Sequence, residues 1–288
     1  MQVEESIKPW GQLSGNEISA YNDLIAVKPL NKSTIGIRAV LLALTVLTVY
    51  ALATIDYRSV DVYTALADTV SNFKLMFLQP YSQRFGLLEA LYGVLITLGL
   101  AFLTTLFGAV IALFLGLLAA QNLAPKLVTN LIKGFVAFIR AVPTILWVLI
   151  FAVAAGLGSA AAVIGMTFHS ISYLTKAYSE SFEDLDADVI EALTASGANW
   201  WQIVFQAVIP SSVTYLLSWT FLHFEINFAN AVAMGAAAGA AGIGFDLFMA
   251  GEYYFDLREV GLITYLILGF AVCLETCSTT MKARFQKK

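Results

Sequence analysis

The sequence predicts an all-α membrane protein with about six transmembrane helices. Three observations carry that reading. First, 59% of the 288 residues are hydrophobic and only 12% are charged, with a mean hydropathy of +0.78. Soluble domains carry about twice that charge, and disordered chains need low hydrophobicity, so both classes are excluded. Second, the apolar runs are continuous. Gly108 to Ala120 holds no polar side chain, whereas barrel strands would alternate apolar and polar residues. In lipid, such a run can satisfy its backbone only as a helix. Third, the basic residues are placed asymmetrically. With the N-terminus in the cytoplasm, only Arg58, Lys74, Arg84 and Arg258 of the 16 Lys and Arg fall outside. The positive-inside bias therefore puts both termini in the cytoplasm.

The elements follow in order. Residues 1–34 are polar and form an N-terminal cytoplasmic segment without a cleavable signal peptide. Residues 35–55 form the first transmembrane helix. An external loop at 56–86 includes an interfacial helix, marked by Phe73, Met76 and Phe77. A core domain spans 87–278, with apolar runs at 87–120, 134–157, 159–177, 213–245 and 260–277. Each run is long enough to cross a hydrocarbon layer of about 30 Å. Gly156-Leu-Gly158-Ser159 supplies the turn of a tight hairpin. A cytoplasmic loop occupies 178–212, and a basic tail occupies 279–288. Cys273 and Cys277 share one helix face as small buried apolar residues.

The loop at 178–212 has readable local physics. Asp188 with Glu191 resembles a capping box that starts a helix near Asp188. Gly197 is placed to close that helix in a left-handed cap. Asn199 can cap a second helix from Trp200, and Pro210 marks the start of the next span. Small residues at Ala192, Ala195 and Ala198 let another protein approach closely.

Glu191-Ala192-Leu193, three residues, Gly197, and a terminal Ile209-Pro210 resemble the EAA loop of bacterial ABC-importer permeases. In that pattern Leu193 stands for the second Ala, and Ala207-Val-Ile209-Pro210 stands for Ile-x-Leu-Pro. Arg140-Ala-Val-Pro143-Thr-Ile-Leu-Trp147, Gly156-Leu-Gly158, His169 through Glu180, Phe224-Glu225-Ile226-Asn227 and Gly242-Ile-Gly244 are similar to phosphonate permeases over roughly 87–277. The resemblance implies a type I ABC importer permease fold in a bacterial cytoplasmic membrane, a multi-pass chain in contact with membrane lipid. It implies a homodimer of two permease copies, two copies of a P-loop ATPase subunit that use ATP and magnesium, and an external substrate-binding protein. The solute implied is phosphonate or a related phosphorus oxyanion. Permeases for phosphate, phosphite, methionine or another small solute are the nearest alternatives.

The remaining candidate residues have two readings each. Glu225, inside the fifth run, is a pathway or gate carboxylate or a buried hydrogen-bond anchor, since a mid-membrane carboxylate costs about 2.5–3.5 kcal/mol to insert. Asn227 adds polarity to the same stretch, with His223 four residues away. Arg140 either anchors at the cytoplasmic interface or compensates an anion leaving the pathway. Pro143 kinks its helix or opens its first turn. Gly235 and Gly239 form a small-residue packing pattern continued by Gly242 and Gly244. No catalytic set, metal site or nucleic-acid footprint is expected. The absence of a Walker A pattern means this chain binds no cofactor of its own and leaves ATP hydrolysis to a partner. A secondary transporter would need coupling carboxylates and internal repeats, and a membrane-embedded enzyme a converging polar set; neither pattern is present in the sequence.

Overall fold

The structure is a computed structural model that describes residues 32–55, 61–84 and 86–285. Most of the segment 1–34 therefore lies outside the described residues, as do Arg58 and the last three residues of the tail. The described residues are helical, with no strand among them. They form two units, Met1–Ala65 and Leu66–Lys288.

In the first unit, α1 (Lys32–Thr54) is a helix of 23 residues with its apolar side chains exposed. Thr45 and Thr48 return their hydroxyl protons to carbonyls one turn back, at 2.8 Å each. The helix thus presents no free side-chain donor at these positions to a surrounding apolar phase.

The second unit is a helical bundle. Helix α2 (Val62–Leu78) begins before the boundary and carries the interfacial pattern. Its Phe77 carbonyl accepts from the Tyr265 hydroxyl at 2.8 Å. Helix α3 (Leu87–Ala119) runs for 33 residues, about 50 Å of axial length. Helices α4 (Lys126–Ala141) and α5 (Thr144–Ala155) are the two arms of the third apolar run. They meet at 87° across Val142-Pro143, so the bend expected at Pro143 is a full break between two helices. Proline lacks the N–H for a continuing helix and disfavours helical backbone before it, and Val142 is extended.

Gly156 and Gly158 take φ of 87° and 136° to turn the chain into α6 (Ser159–Glu183). This helix continues through residues 178–183, inside the stretch where the sequence predicts the cytoplasmic loop. It occupies the centre of the bundle against α3, α5 and α8. Its hydroxyls at Thr167, Ser170, Ser172, Ser179 and Ser181 bond carbonyls three or four residues back, which lets a polar sequence pack inside. That polarity keeps α6 out of the four helices among the described residues that are long and apolar enough to cross a membrane, five if the bent α4–α5 pair is taken as one span.

Helix α7 (Ala187–Ala195) follows a short turn. Helix α8 (Trp200–Ala238) is continuous for 39 residues and widens into a π turn at Val204–Val208. The π turn immediately precedes Pro210 and accommodates a ring that would clash with an ordinary preceding turn. Helix α8 thus starts at Trp200, ahead of the apolar run from Val213, and Pro210 lies inside it. It ends at Ala238 and not near Phe245, because Gly239 adopts a left-handed cap with φ of 62°. Short α9 (Ile243–Phe248), a second π turn at Met249–Tyr253 and α10 (Leu257–Phe285) complete the chain. Cys273 and Cys277 on α10 are exposed, contrary to the buried reading.

The core is split in two. One cluster holds Leu100, Ala101, Met166, Phe228 and Met234. The other, at the loop end, holds Ala112, Leu117, Leu174, Phe182, Val204 and Leu216. The central helices pack at glycines. A Cβ on Gly108 would strike the Ser170 side chain, and one on Gly116 would come within 3.0 Å of Tyr178 Cβ.

Candidate functional site

At the loop end the chain builds a braced helix pair. Asp186, and not Asp188, is the N-cap of α7, its carboxylate accepting the Asp188 N–H at 3.1 Å. Gly197, at φ 88°, closes the helix. The Ala198 N–H returns to the Leu193 carbonyl and the Gly197 N–H to the Thr194 carbonyl, both at 3.0 Å. These two bonds form a Schellman motif, which needs the left-handed residue. Asn199 then opens α8: its side chain accepts the Gln202 N–H at 2.9 Å, and Gln202 accepts the Asn199 N–H at 2.7 Å. This reciprocal capping box fixes the start of α8.

One side of the pair is anchored. Ile190, Leu193, Ala198, Trp200 and Ile209 pack on the loop-end core. The Trp200 indole donates to the Leu123 carbonyl at 2.9 Å. The other side is bare: Glu191, Ala192 and Gly197 are exposed, and so are Trp201 and Phe205, whose rings stack at 5.9 Å.

Glu183, a residue the sequence reading did not single out, ties this end together. Its carboxylate accepts the Gln121 N–H and pairs with Lys133, each at 2.9 Å. Asn122 reaches the Phe182 carbonyl at 2.8 Å. The α3–α4 turn, α4 and the end of α6 are thereby linked just before α7 begins. Positions 121, 133 and 183 carry no common spacing, so only their partners reveal the cluster.

Between the two apolar cores lies a buried polar layer. The Asn227 amide on α8 donates to Thr105 Oγ1 on α3 and Ser170 Oγ on α6, both at 2.9 Å. Asn227 is fully buried and joins the three central helices, while Glu225, half-buried, makes no ion pair or hydrogen bond among the described residues. His223 lies one turn away, fully buried, and its ring stacks on Tyr173 at 4.7 Å. Arg140 and Pro143 stand at the α4–α5 elbow. Gly235 and Gly239 do not share a helix face as the pattern suggested, because α8 ends between them. Gly235 packs against the backbone of Gly244-Phe245, and Gly242 lies on Thr97.

The end opposite the loop is acidic and clasped. Arg84 donates to Glu259 at 2.7 Å and Asp256 at 3.2 Å, and stacks 4.0 Å above the Tyr254 ring. These bonds, the one to Glu259 foremost, hold the guanidinium above its ordinary range. Desolvation, followed by the charges of Glu259 and Glu89, raises the Asp246 carboxyl.

The described residues thus form a multi-helix core with helices long and apolar enough to cross a membrane and a helix pair left bare on one side. The family described as "Binding-protein-dependent transport system inner membrane component" matches residues 112–288, and the chain belongs to that family. Among curated relatives, the phosphate-import permease protein PhnE of Mycolicibacterium smegmatis is 28% identical over 178 residues, 61% of this chain and 33% of that one. The phosphite transport system permease protein PtxC of Stutzerimonas stutzeri is 29% identical over 191 residues, covering 66% and 69%. A probable D-methionine transport system permease protein, MetI of Pasteurella multocida, is 24% identical over 203 residues, covering 67% and 93%. An inward-facing structure of the MetNI methionine ABC transporter superposes with a TM-score of 0.65 at 20% identity, covering 71% of this chain and 99% of that one. This match shows the type I ABC importer permease fold.

Proposed function

We propose that the chain is the membrane-spanning subunit of an ABC importer for phosphonate or a related phosphorus oxyanion. Two copies form the pathway, two separate ATPase subunits drive it with ATP and magnesium, and an external binding protein delivers the solute. The braced helix pair carries this reading: α7 and the start of α8 are held rigidly on one side and left bare on the other. Glu191, Ala192 and Gly197, with Trp201 and Phe205 beside them, are the face offered to the ATPase. Leu193 and Ile209 anchor the pair to the bundle, and Pro210, exposed, marks the point where α8 leaves its π turn. The loop end then faces the cytoplasm, with both termini on that side. Asn227 and Glu225 belong to the moving part of the pathway, and Pro143 is its elbow.

The names of PhnE and PtxC support a phosphorus oxyanion. The coverage of MetI favours methionine as the second reading. Reconstitution with the cognate ATPase and binding protein separates them. ATP hydrolysis stimulated by phosphonate, phosphite, hypophosphite or phosphate supports the proposal. Stimulation by methionine alone favours the second reading, and uptake without ATP overturns both.

A further inference from the structure

The α3–α4 turn takes hold of both stems of α7. Three consecutive residues of the turn do this. The Gln121 N–H donates to the Glu183 carboxylate at 2.9 Å, and the Asn122 amide donates to the Phe182 carbonyl at 2.8 Å. Both acceptors belong to the end of α6, the stem that leads into α7. The Leu123 carbonyl accepts the Trp200 indole at 2.9 Å, at the start of α8, the stem that leads out. The same Glu183 oxygen, Oε1, also accepts from Lys133 Nζ at 2.9 Å, two turns into α4. One carboxylate oxygen therefore joins α6, the turn and α4.

Helix α4 depends on that tie more than α6 does. Of its residues only Thr129, Val136 and Ile139 are buried, whereas more than half of α6 is. Among the described residues, its polar ties to α3 and α6 are the Lys133–Glu183 pair and a long bond from the Thr129 hydroxyl to the Leu118 carbonyl at 3.4 Å. Toward the elbow, a cavity of about 260 Å³ lies between α4 and α6, lined by Val136, Ala137, Arg140, Thr175 and Ser179 among others. That is several times the roughly 30 Å³ of one liquid water, so α4 is not wedged in place there. Lys133 stands about 14 Å along the helix from Val142 at the elbow.

We propose that Glu183 is a positioning residue for transport, which passes a displacement of α7 into α4 and so to the Pro143 elbow. The inference rests on the proposed function, because it needs a push on α7. A displacement of the α6–α7 junction carries the Glu183 carboxylate with it. Lys133 follows, since a charge-assisted hydrogen bond is stronger than a neutral one and few apolar contacts hold α4 back. Helix α4 then pivots about the break at Val142-Pro143, with the cavity as clearance. Glu183 acts through α4 and has no part in holding solute or nucleotide.

Hydrogen–deuterium exchange of the whole complex in nanodiscs tests this without reference to the solute. The full chain, assembled with its ATPase, is compared without nucleotide and with ATP trapped by vanadate. In the unaltered chain, amides of α7 and of the first half of α4 should both change protection on trapping. Glu183→Gln keeps an acceptor for the Gln121 N–H but removes the charge that holds Lys133. It should retain the α7 response and reduce the α4 response several-fold. Lys133→Met, which leaves the bond from Gln121 to Glu183 in place, should do the same, and it serves alone should Glu183→Gln fail to assemble. The reversed pair, Lys133→Glu with Glu183→Lys, should restore the α4 response, which a merely structural role for Glu183 does not predict. Glu180→Gln is the control: its partner Lys176 lies on the same helix at 3.6 Å, so both responses should match the unaltered chain. An α4 response that survives the single variants, is not restored by the reversed pair, or is absent from the unaltered chain while α7 responds overturns the inference. Absence of any response at α7 instead overturns the docking assignment, and the inference falls with it.

Discussion

Replacing Asn227 separates two ways in which a buried amide can serve a membrane bundle. The Asn227 amide spans from α8 to Thr105 and Ser170. Both acceptors already donate to their own helix, Thr105 to the Ala101 carbonyl at 2.8 Å and Ser170 to the Met166 carbonyl at 3.1 Å. Asn227→Leu, close in size, therefore strands no hydroxyl proton. Its cost is two interhelical hydrogen bonds at about 0.6 kcal/mol each in a bilayer, about 1.2 kcal/mol in all. Asn227 Oδ1 has no partner, and removing it relieves part of that cost. The expected net loss is at most about 1 kcal/mol. Asn227→Asp instead buries a carboxylate and should cost about 3 kcal/mol. Reversible unfolding in bicelles measures both. A double-mutant cycle of Asn227→Leu with Thr105→Val should return a coupling of about 0.6 kcal/mol. Zero coupling, or a Leu variant as unstable as the Asp variant, refutes the bridging role. ATP-driven uptake adds the functional arm: if the layer also moves during transport, Asn227→Leu lowers uptake more than it lowers the folded fraction.

Three further outcomes follow. Gly197→Val should strain the left-handed cap by about 1–2 kcal/mol; co-purification with the ATPase should fall while the bundle stays folded, and an unchanged complex sinks the docking assignment. Gly108→Leu should force α3 and α6 apart, because even a Cβ would meet Ser170; overpacking of about 1–3 kcal/mol is expected in the unfolding assay, and a neutral result contradicts the close approach. Asp246 has its carboxyl raised above 3.8. The native state therefore holds that proton more tightly than the unfolded chain, so its contribution is present below the unfolded value and is lost as pH rises through the folded one. Asp246→Asn should flatten the fall in melting temperature over that window, and an unaltered pH profile refutes the assignment.

Much of this architecture is legible because lipid leaves few choices. Each of the six apolar runs is mostly helical, the third broken at Pro143 and the fifth at Gly239, and Gly156, Gly158 and Gly197 take the positive φ that a turn or cap there needs. Local signals alone misplaced the boundaries. Asp186 and Asp188 are both competent caps, and Leu185 and Ile190 packing on the loop-end core accompanies the earlier one. Pro143 announced a break, but the 87° angle belongs to tertiary contacts: the Trp147 indole donates to the Ile139 carbonyl at 3.1 Å and its ring stacks on Phe168 at 5.0 Å. Gly235 and Gly239 read as one face only while α8 is assumed to continue. The polar layer was half visible, in Asn227 and His223. Its other members, Thr105 and Ser170, come from helices distant in sequence and resemble ordinary helix hydroxyls until the three are brought together.

The placement of rigid and compliant parts bears on how such a chain could be driven. Helix α7 and the start of α8 cannot move alone: Ile190, Leu193 and Trp200 are packed into the loop-end core, and Trp200 is bonded to the α3–α4 turn. That turn is in turn tied to α6 through Glu183. On the proposed function, a push on α7 by the ATPase displaces the loop-end core as one body. The give must then come from where packing is least continuous. Three places meet that description: the polar layer between the cores, the π turn before Pro210, and the elbow at Pro143. Hydrogen bonds in the polar layer can exchange partners at about 0.6 kcal/mol each, whereas separating either apolar core would forfeit the close packing of its helices. The layer at Asn227 is therefore the plane across which the two halves of the bundle can shift at least cost, and α7 with the start of α8 lies entirely on one side of it.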